Sequence, residues 1–175
     1  MGALLAFLWL AVFVLIMVII HTPKAEGKTM TRQISAAGLA HIKHFEGCRL
    51  ASYYCVAGRC TIGYGHTGPD VKPGMKITQE RADELLRQDL RGAEQAVADL
   101  VKVPLTSGQH AALVDLIFNL GRTAIGKSTL IRKLNAKDYG GASEELMRWV
   151  HSGGQIIAGL QRRRLAAREM WLNGR

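Results

Sequence analysis

The sequence predicts an α+β domain of two lobes, a small β hairpin or sheet lobe and a helical bundle lobe, preceded by an N-terminal membrane-spanning helix. Three observations carry this expectation. Residues 3–20 contain no charged or strongly polar side chain. Residues 51–66 are rich in Tyr, Cys, Thr, Ile and Gly, a composition of short strands and turns. From Thr78 onward, apolar residues recur at helical spacing.

The apolar run ALLAFLWLAVFVLIMVII is 18 residues long. As a helix it measures about 27 Å, close to the hydrocarbon thickness of a bilayer. A helix buried in a soluble domain would show a polar face, and this one has none. The run exceeds the apolar core of a cleavable signal peptide and lacks a charged stretch before it, and Ala25-Glu26-Gly27 is a poor cleavage site. Residues 1–21 are therefore read as an uncleaved signal-anchor segment. Residues 22–32, polar and holding Pro23 and Gly27, read as a linker, and residues 33–175 as the folded domain. Lys24, Lys28 and Arg32 follow the span and by the positive-inside rule favour a cytoplasmic domain. Long domains are often translocated regardless of flanking charge, and the activity argued below needs the periplasmic side.

Within the domain, Ser35 can cap a helix running to about Phe45, with Ala36, Leu39, Ile42 and Phe45 on one face and Glu46-Gly47 at its end. Short strands follow, turning at Val56-Ala57-Gly58-Arg59, and Gly68, Pro69, Pro73 and Gly74 mark loops. Thr78 opens a long helix with Leu85, Leu86, Leu90, Ala93, Val97 and Leu100 on its apolar face. Thr106-Ser107 opens another, through Leu113 and Leu116 to Leu120, stopped by Gly121. Further helices fit residues 127–135, 138–150 and 160–172. The default ligand site of such a domain is the cleft between its lobes.

Lys and Arg number 23 against 14 Asp and Glu, a formal charge of +9. That surplus suits acidic partners, including anionic lipid and an anionic cell envelope. Aromatic residues are few and no RNA-binding motif with stacking aromatics is present, which argues against nucleic acid. Three cysteines, Cys48, Cys55 and Cys60, lie within thirteen positions, an odd number that leaves at least one thiol unpaired or paired between molecules.

The informative stretch is FEGCRLASYYCVAGRCTIGYGHTG, residues 45–68. Glycosidic bond cleavage requires an acid to protonate the leaving oxygen and a second group on the other face of the sugar. A carboxyl at a helix end facing a cleft is partly desolvated, which favours its protonated form. Glu46 is the candidate. Cys55 follows after eight intervening residues and Thr61 after five more, then Ile-Gly-Tyr-Gly-His66.

This spacing resembles the T4-type phage lysozymes, glycoside hydrolase family 24, and within them the signal-anchor-release endolysins, which carry Cys in the middle position. The similarity runs from about residue 33 to 172. It includes Ile77-Thr78-Gln79-Glu80 through Asp89, Gln109 through Phe118-Asn119-Leu120-Gly121, and Gly159-Leu160 through Arg164. The resemblance implies a muramidase that cuts the β-1,4 bond between N-acetylmuramic acid and N-acetylglucosamine and lyses the host cell. It implies Glu46, Cys55 and Thr61 as catalytic residues, with Thr61 positioning a water or the sugar. His66 paired with Asp89 is implied as structural support between hairpin and long helix. Cys55 departs from the usual carboxylate: its reference pKa is about 8.5 against about 3.9, so a base or nucleophile role needs surroundings that lower it. The alternative is a spacer beside a sufficient Glu46 and Thr61.

Of three possible disulfides, Cys48–Cys55 and Cys55–Cys60 block Cys55, and Cys48–Cys60 leaves it free. Cys55 and Cys60 flank the turn, which allows them to face each other across a hairpin. Related signal-anchor-release enzymes are caged by a disulfide to the catalytic Cys and freed by a thiol in the anchor, but this anchor has no Cys. An internal exchange on release is one expectation, and one fixed bridge with a free thiol the other. Arg162, Arg163 and Arg164 are expected either to contact glycan or hold Glu46 or to form a solvated basic face, and Gln109 and Asn119 to be polar residues of the cleft. The expected partners are peptidoglycan and the inner membrane, for a monomer with no cofactor and no metal. The expected location is single-pass in the host inner membrane with the catalytic domain in the periplasm, tethered or released. Competing readings are a Cys/His peptidase using Cys55 and His66, which leaves Glu46 and Thr61 without a role, a lytic transglycosylase, and a membrane-anchored, non-catalytic wall-binding protein.

Overall fold

The structure is a computed structural model that describes residues 31–174. The expected span over residues 1–21 and most of the linker lie outside the described residues. Among those described, no helix is long and apolar enough to cross a membrane.

Helix α1 spans Ala36–Glu46. The Ser35 side chain accepts from the Gly38 N–H at the first turn, as a small polar N-cap does. The helix stops at Glu46 because Gly47 takes φ +66°, a left-handed conformation that costs other residues energy. The glutamate is thus left at the lip of the helix where the chain turns into the sheet. Strands β1 (Arg49–Tyr54) and β2 (Cys60–Gly63) form an antiparallel hairpin with Tyr53 opposite Thr61 and Tyr54 opposite Cys60. Alternation along the strands then separates two faces. Cys60 packs against a small core of Ile62, Val71 and Leu85, whereas Thr61 belongs to the opposite face.

Helix α2, Gln79–Leu100, is capped by the Thr78 side chain and joins the lobes. Its Leu85 packs in the small core under the hairpin, and Leu86, Leu90, Ala93 and Val97 enter the main core. Helix α3, Ser107–Leu120, opens on a reciprocal capping box between Thr106 and Gln109. It is the central helix of the bundle, with Ala111, Leu113, Val114 and Leu116 all at 0 % exposure. A Cβ added at Gly38 would lie 2.5 Å from the Ala111 Cβ, so α1 and α3 touch where only glycine fits.

The remaining chain is more broken than expected. A short helix α4 (Arg122–Gly126) precedes α5 (Thr129–Asn135), which is capped by Ser128. Five residues are too few for a helical period to register in sequence. Helix α6 (Tyr139–Glu145) passes into a 3-10 turn at Leu146–Arg148, where a helix to residue 150 was expected. Two-residue strands β3 (His151–Ser152) and β4 (Gln155–Ile156) then pair through Gly153 and Gly154, both at positive φ. The last helix, α7, spans Ala158–Asn173 and packs on α3. The fold is the expected combination of a helical bundle and a small sheet.

Candidate active site

Glu46 is partly exposed at 23 % of its side chain, and it is held from below. Arg163 of α7 places Nη2 2.7 Å from Glu46 Oε1 and 2.7 Å from Asp115 Oδ1. Arg163 Nε also donates to Asp115 Oδ1 at 2.8 Å. Asp115 is fully buried on α3 and takes its second guanidinium from Arg164, at 2.9 Å. Arg164, itself fully buried, also donates to the Asn119 side chain. His41 Nε2, one turn before Phe45 on α1, lies 3.6 Å from Asp115 Oδ2. Burial by itself pushes the Asp115 carboxyl toward its neutral form, and the nearby His41 ring and the charge and hydrogen bond of Arg163 hold it below the usual carboxylate range. Phe45 covers the assembly, its ring centroid 5.8 Å from the Arg163 guanidinium carbon.

Among the three arginines expected near the site, the structure separates the roles. Arg163 touches Glu46, Arg164 anchors to Asp115 and Asn119, and Arg162 is exposed. The Gln109 side chain accepts from the Thr106 N–H to complete the α3 cap, away from Glu46 and its partners. Sequence reasoning did not find Asp115 or His41. The signal was an acid at the centre of the most apolar helix of the bundle, where a charge persists only with a partner.

At the hairpin tip, Cys55 N–H donates to the Arg59 carbonyl at 2.9 Å, extending the ladder one step past Tyr54 and Cys60. Thr61 is 2 % exposed, and its hydroxyl donates to the Arg59 carbonyl at 2.9 Å. The Cys55 thiol sits below its ordinary pKa. A hydrogen bond from the Arg59 backbone contributes most and the Thr61 hydroxyl next.

The three cysteines are free thiols. The hairpin register corrects the expectation that Cys55 and Cys60 face each other. Tyr54 is the residue opposite Cys60, and Cys55 belongs to the face of Tyr53 and Thr61. Cys48 precedes the Arg49–Gly63 pair, at least three residues along β2 from Cys60. That is about 10 Å or more, beyond the ~7 Å a disulfide spans between Cα atoms.

His66 follows β2 and lies between two carboxylates. Its Nδ1 is 2.9 Å from Asp89 Oδ1 on α2, and its Nε2 is 3.2 Å from Asp70 Oδ2. Burial works against the charged ring, but the hydrogen bonds and charges of Asp89 and then Asp70 outweigh it and raise the His66 pKa. A second lock joins the same elements. Tyr64 Oη donates to Asp83 at 3.2 Å, and Lys43 of α1 pairs with Asp83 at 2.6 Å. The hairpin is thereby tied to α1 and α2 at its open end, while Cys55 lies at its closed end.

The family model described as phage lysozyme matches residues 43–167. The chain belongs to the phage lysozyme family. It is 44% identical over 142 residues to an endolysin of Acyrthosiphon pisum secondary endosymbiont phage 1, covering 79% of this chain and 97% of that protein. A SAR-endolysin of Escherichia phage Mu is 41% identical over 128 residues, with 73% of this chain and 74% of the relative covered. Among solved structures, a P22 lysozyme mutant superimposes with a TM-score of 0.77 at 41% identity, covering 81% of this chain and 99% of that one. This phage lysozyme is a glycoside hydrolase of the lysozyme type, and the peptidase and non-catalytic readings fall away.

Proposed function

We propose that this phage lysozyme is an endolysin that hydrolyses the β-1,4 bond between N-acetylmuramic acid and N-acetylglucosamine with Glu46 as general acid. The observation that supports the role most directly is the placement of Glu46: last residue of α1, partly exposed, and fixed by Arg163 at 2.7 Å. A saccharide seated over this carboxyl removes water from it and favours the protonated acid. Glu46 then gives its proton to the glycosidic oxygen as the bond to the anomeric carbon breaks. Cys55, with its lowered pKa, and Thr61, which orients it, act on the water that attacks the opposite face of the sugar. His66 with Asp89 holds the hairpin to α2 and takes no part in the reaction.

The N-terminal span holds the enzyme in the host inner membrane with residues 33–175 on the periplasmic side. The chain's own apolar run and the SAR-endolysin name of the phage Mu relative support this reading. Spontaneous release is slow, because the run is rich in Leu, Val, Ile and Phe. A Cys55–Cys60 disulfide demands that the hairpin rearrange, so a form caged in that way would differ from this structure in its hairpin. The test is lysis by exported, folded Glu46→Gln: the variant is expected to lose at least about a hundredfold in wall hydrolysis. Near-normal lysis would remove Glu46 from the chemistry.

A further inference from the structure

We infer that Asp115 is a positioning residue for Glu46, acting through Arg163 to keep the general acid from being trapped as its carboxylate. This rests on Glu46 being the acid. Arg163 is buried, and its Nη2 lies 2.7 Å from one oxygen of each carboxylate. A guanidinium given wholly to Glu46 would stabilise the ionised glutamate, the form unable to donate a proton. Asp115 divides that charge. It takes Nε as well as Nη2 of Arg163, and its own negative charge opposes ionisation of Glu46. Arg164 works in the other sense: it pairs with Asp115 Oδ2 and draws part of the aspartate away from Arg163. Glu46 therefore reads a balance of two arginines against one buried aspartate, in the same direction Arg163 fixes its geometry.

The charged and titratable groups against this balance come from three elements. They are His41 and Glu46 on α1, Asp115 on α3, and Arg163 and Arg164 on α7. The arrangement predicts opposite signs for two substitutions. Asp115→Asn strengthens the hold of Arg163 on Glu46, and the titration midpoint of Glu46 falls. Arg164→Gln releases Asp115 to Arg163, and the midpoint rises. A residue that merely packs the core would move both variants alike or neither.

The full-length chain, 13C-labelled at glutamate and held in detergent micelles, reports the Glu46 carboxyl by NMR across pH. Glu46→Gln assigns the resonance. His41→Gln in each background removes the imidazole that lies 3.6 Å from Asp115. Opposite shifts in the two variants support the inference. Unchanged midpoints, or shifts of one sign, overturn it. Should Asp115→Asn fail to fold, Arg164→Gln decides alone: a rise supports and no change overturns. Turnover of peptidoglycan by the same samples keeps the two readings apart. Activity surviving in Glu46→Gln defeats the acid assignment itself, whereas an inactive Glu46→Gln with unmoved midpoints defeats only the role of Asp115.

Discussion

His110 makes the stability of the domain depend on pH by an amount that follows from its surroundings. It lies in the first turns of α3 and is 4 % exposed, against Val97, Val101, Val103 and Leu105. Burial and then the charge of Arg32 lower its pKa from 6.5 to about 4. The folded protein therefore keeps a neutral ring where the unfolded chain takes up a proton. The sign follows from linkage: this stabilisation is complete above pH 6.5 and is lost as pH falls toward 4. At about 1.4 kcal/mol per pH unit the full effect is about 3.5 kcal/mol, of which about 3 kcal/mol is lost by pH 4, where the folded ring is itself half protonated. For a domain of this size that corresponds to a melting temperature lower by about 6–12 °C. The assay is urea unfolding at pH 7, 5.5 and 4, comparing the protein with His110→Leu. Carboxylates that titrate in the same range cancel in the difference, leaving the His110 contribution. The stability gap between the two proteins is expected to shift by about 3 kcal/mol toward the Leu variant between pH 7 and 4. A gap that stays constant with pH would refute the reasoning.

Other expectations concern the hairpin and the close helix contact. His66→Ala should destabilise the fold by about 1.5–3 kcal/mol, the value of a charge-assisted hydrogen bond, while the folded fraction keeps turnover. Because the His66 pKa is raised, the loss is fullest below about pH 6.5 and shrinks as pH rises through the folded value. Activity that vanished without a change in melting temperature would make His66 catalytic. Cys55→Asp should extend wall hydrolysis to lower pH, since a carboxylate ionises well below a thiol, and an unchanged profile would reduce Cys55 to a spacer. In active enzyme all three cysteines should react with a thiol-alkylating reagent after unfolding; a Cys48–Cys60 bridge found there would contradict the hairpin register. Gly38→Val should destabilise by about 1–3 kcal/mol through overpacking against Ala111, read by thermal melting.

The helices legible in sequence were those with both a cap and a long apolar period. Ser35, Thr78 and Thr106 each open a helix where capping chemistry placed it, and Gly47 and Gly121 close two of them. What escaped was short: α4 and the β3–β4 hairpin contain too few residues for any period, and only Gly153-Gly154 marked the turn. The site divided in the same way. Glu46, Cys55 and Thr61 stand close in the chain, so their spacing was visible. Asp115 and His41 join the site only through packing of α1, α3 and α7, across 48 residues in the Asp115–Arg163 contact. The apolar helix around Asp115 marks it as an acid in need of a partner, but no local spacing ties it to Glu46 or Arg163. Likewise the odd cysteine count allowed three pairings, and it took the register of Tyr54 with Cys60 to place Cys55 and Cys60 on different faces of this hairpin.

The central claim, that Glu46 donates a proton in hydrolysis of the glycan, is tested most directly by mass spectrometry of the muropeptides released from purified peptidoglycan by the full-length chain and by folded Glu46→Gln. The account predicts products with new reducing N-acetylmuramic acid ends from the unmodified protein, and at least about a hundredfold fewer from the variant. Anhydro sugar ends would instead identify a transglycosylase, and equal yields of reducing ends from both proteins would contradict the assignment of Glu46.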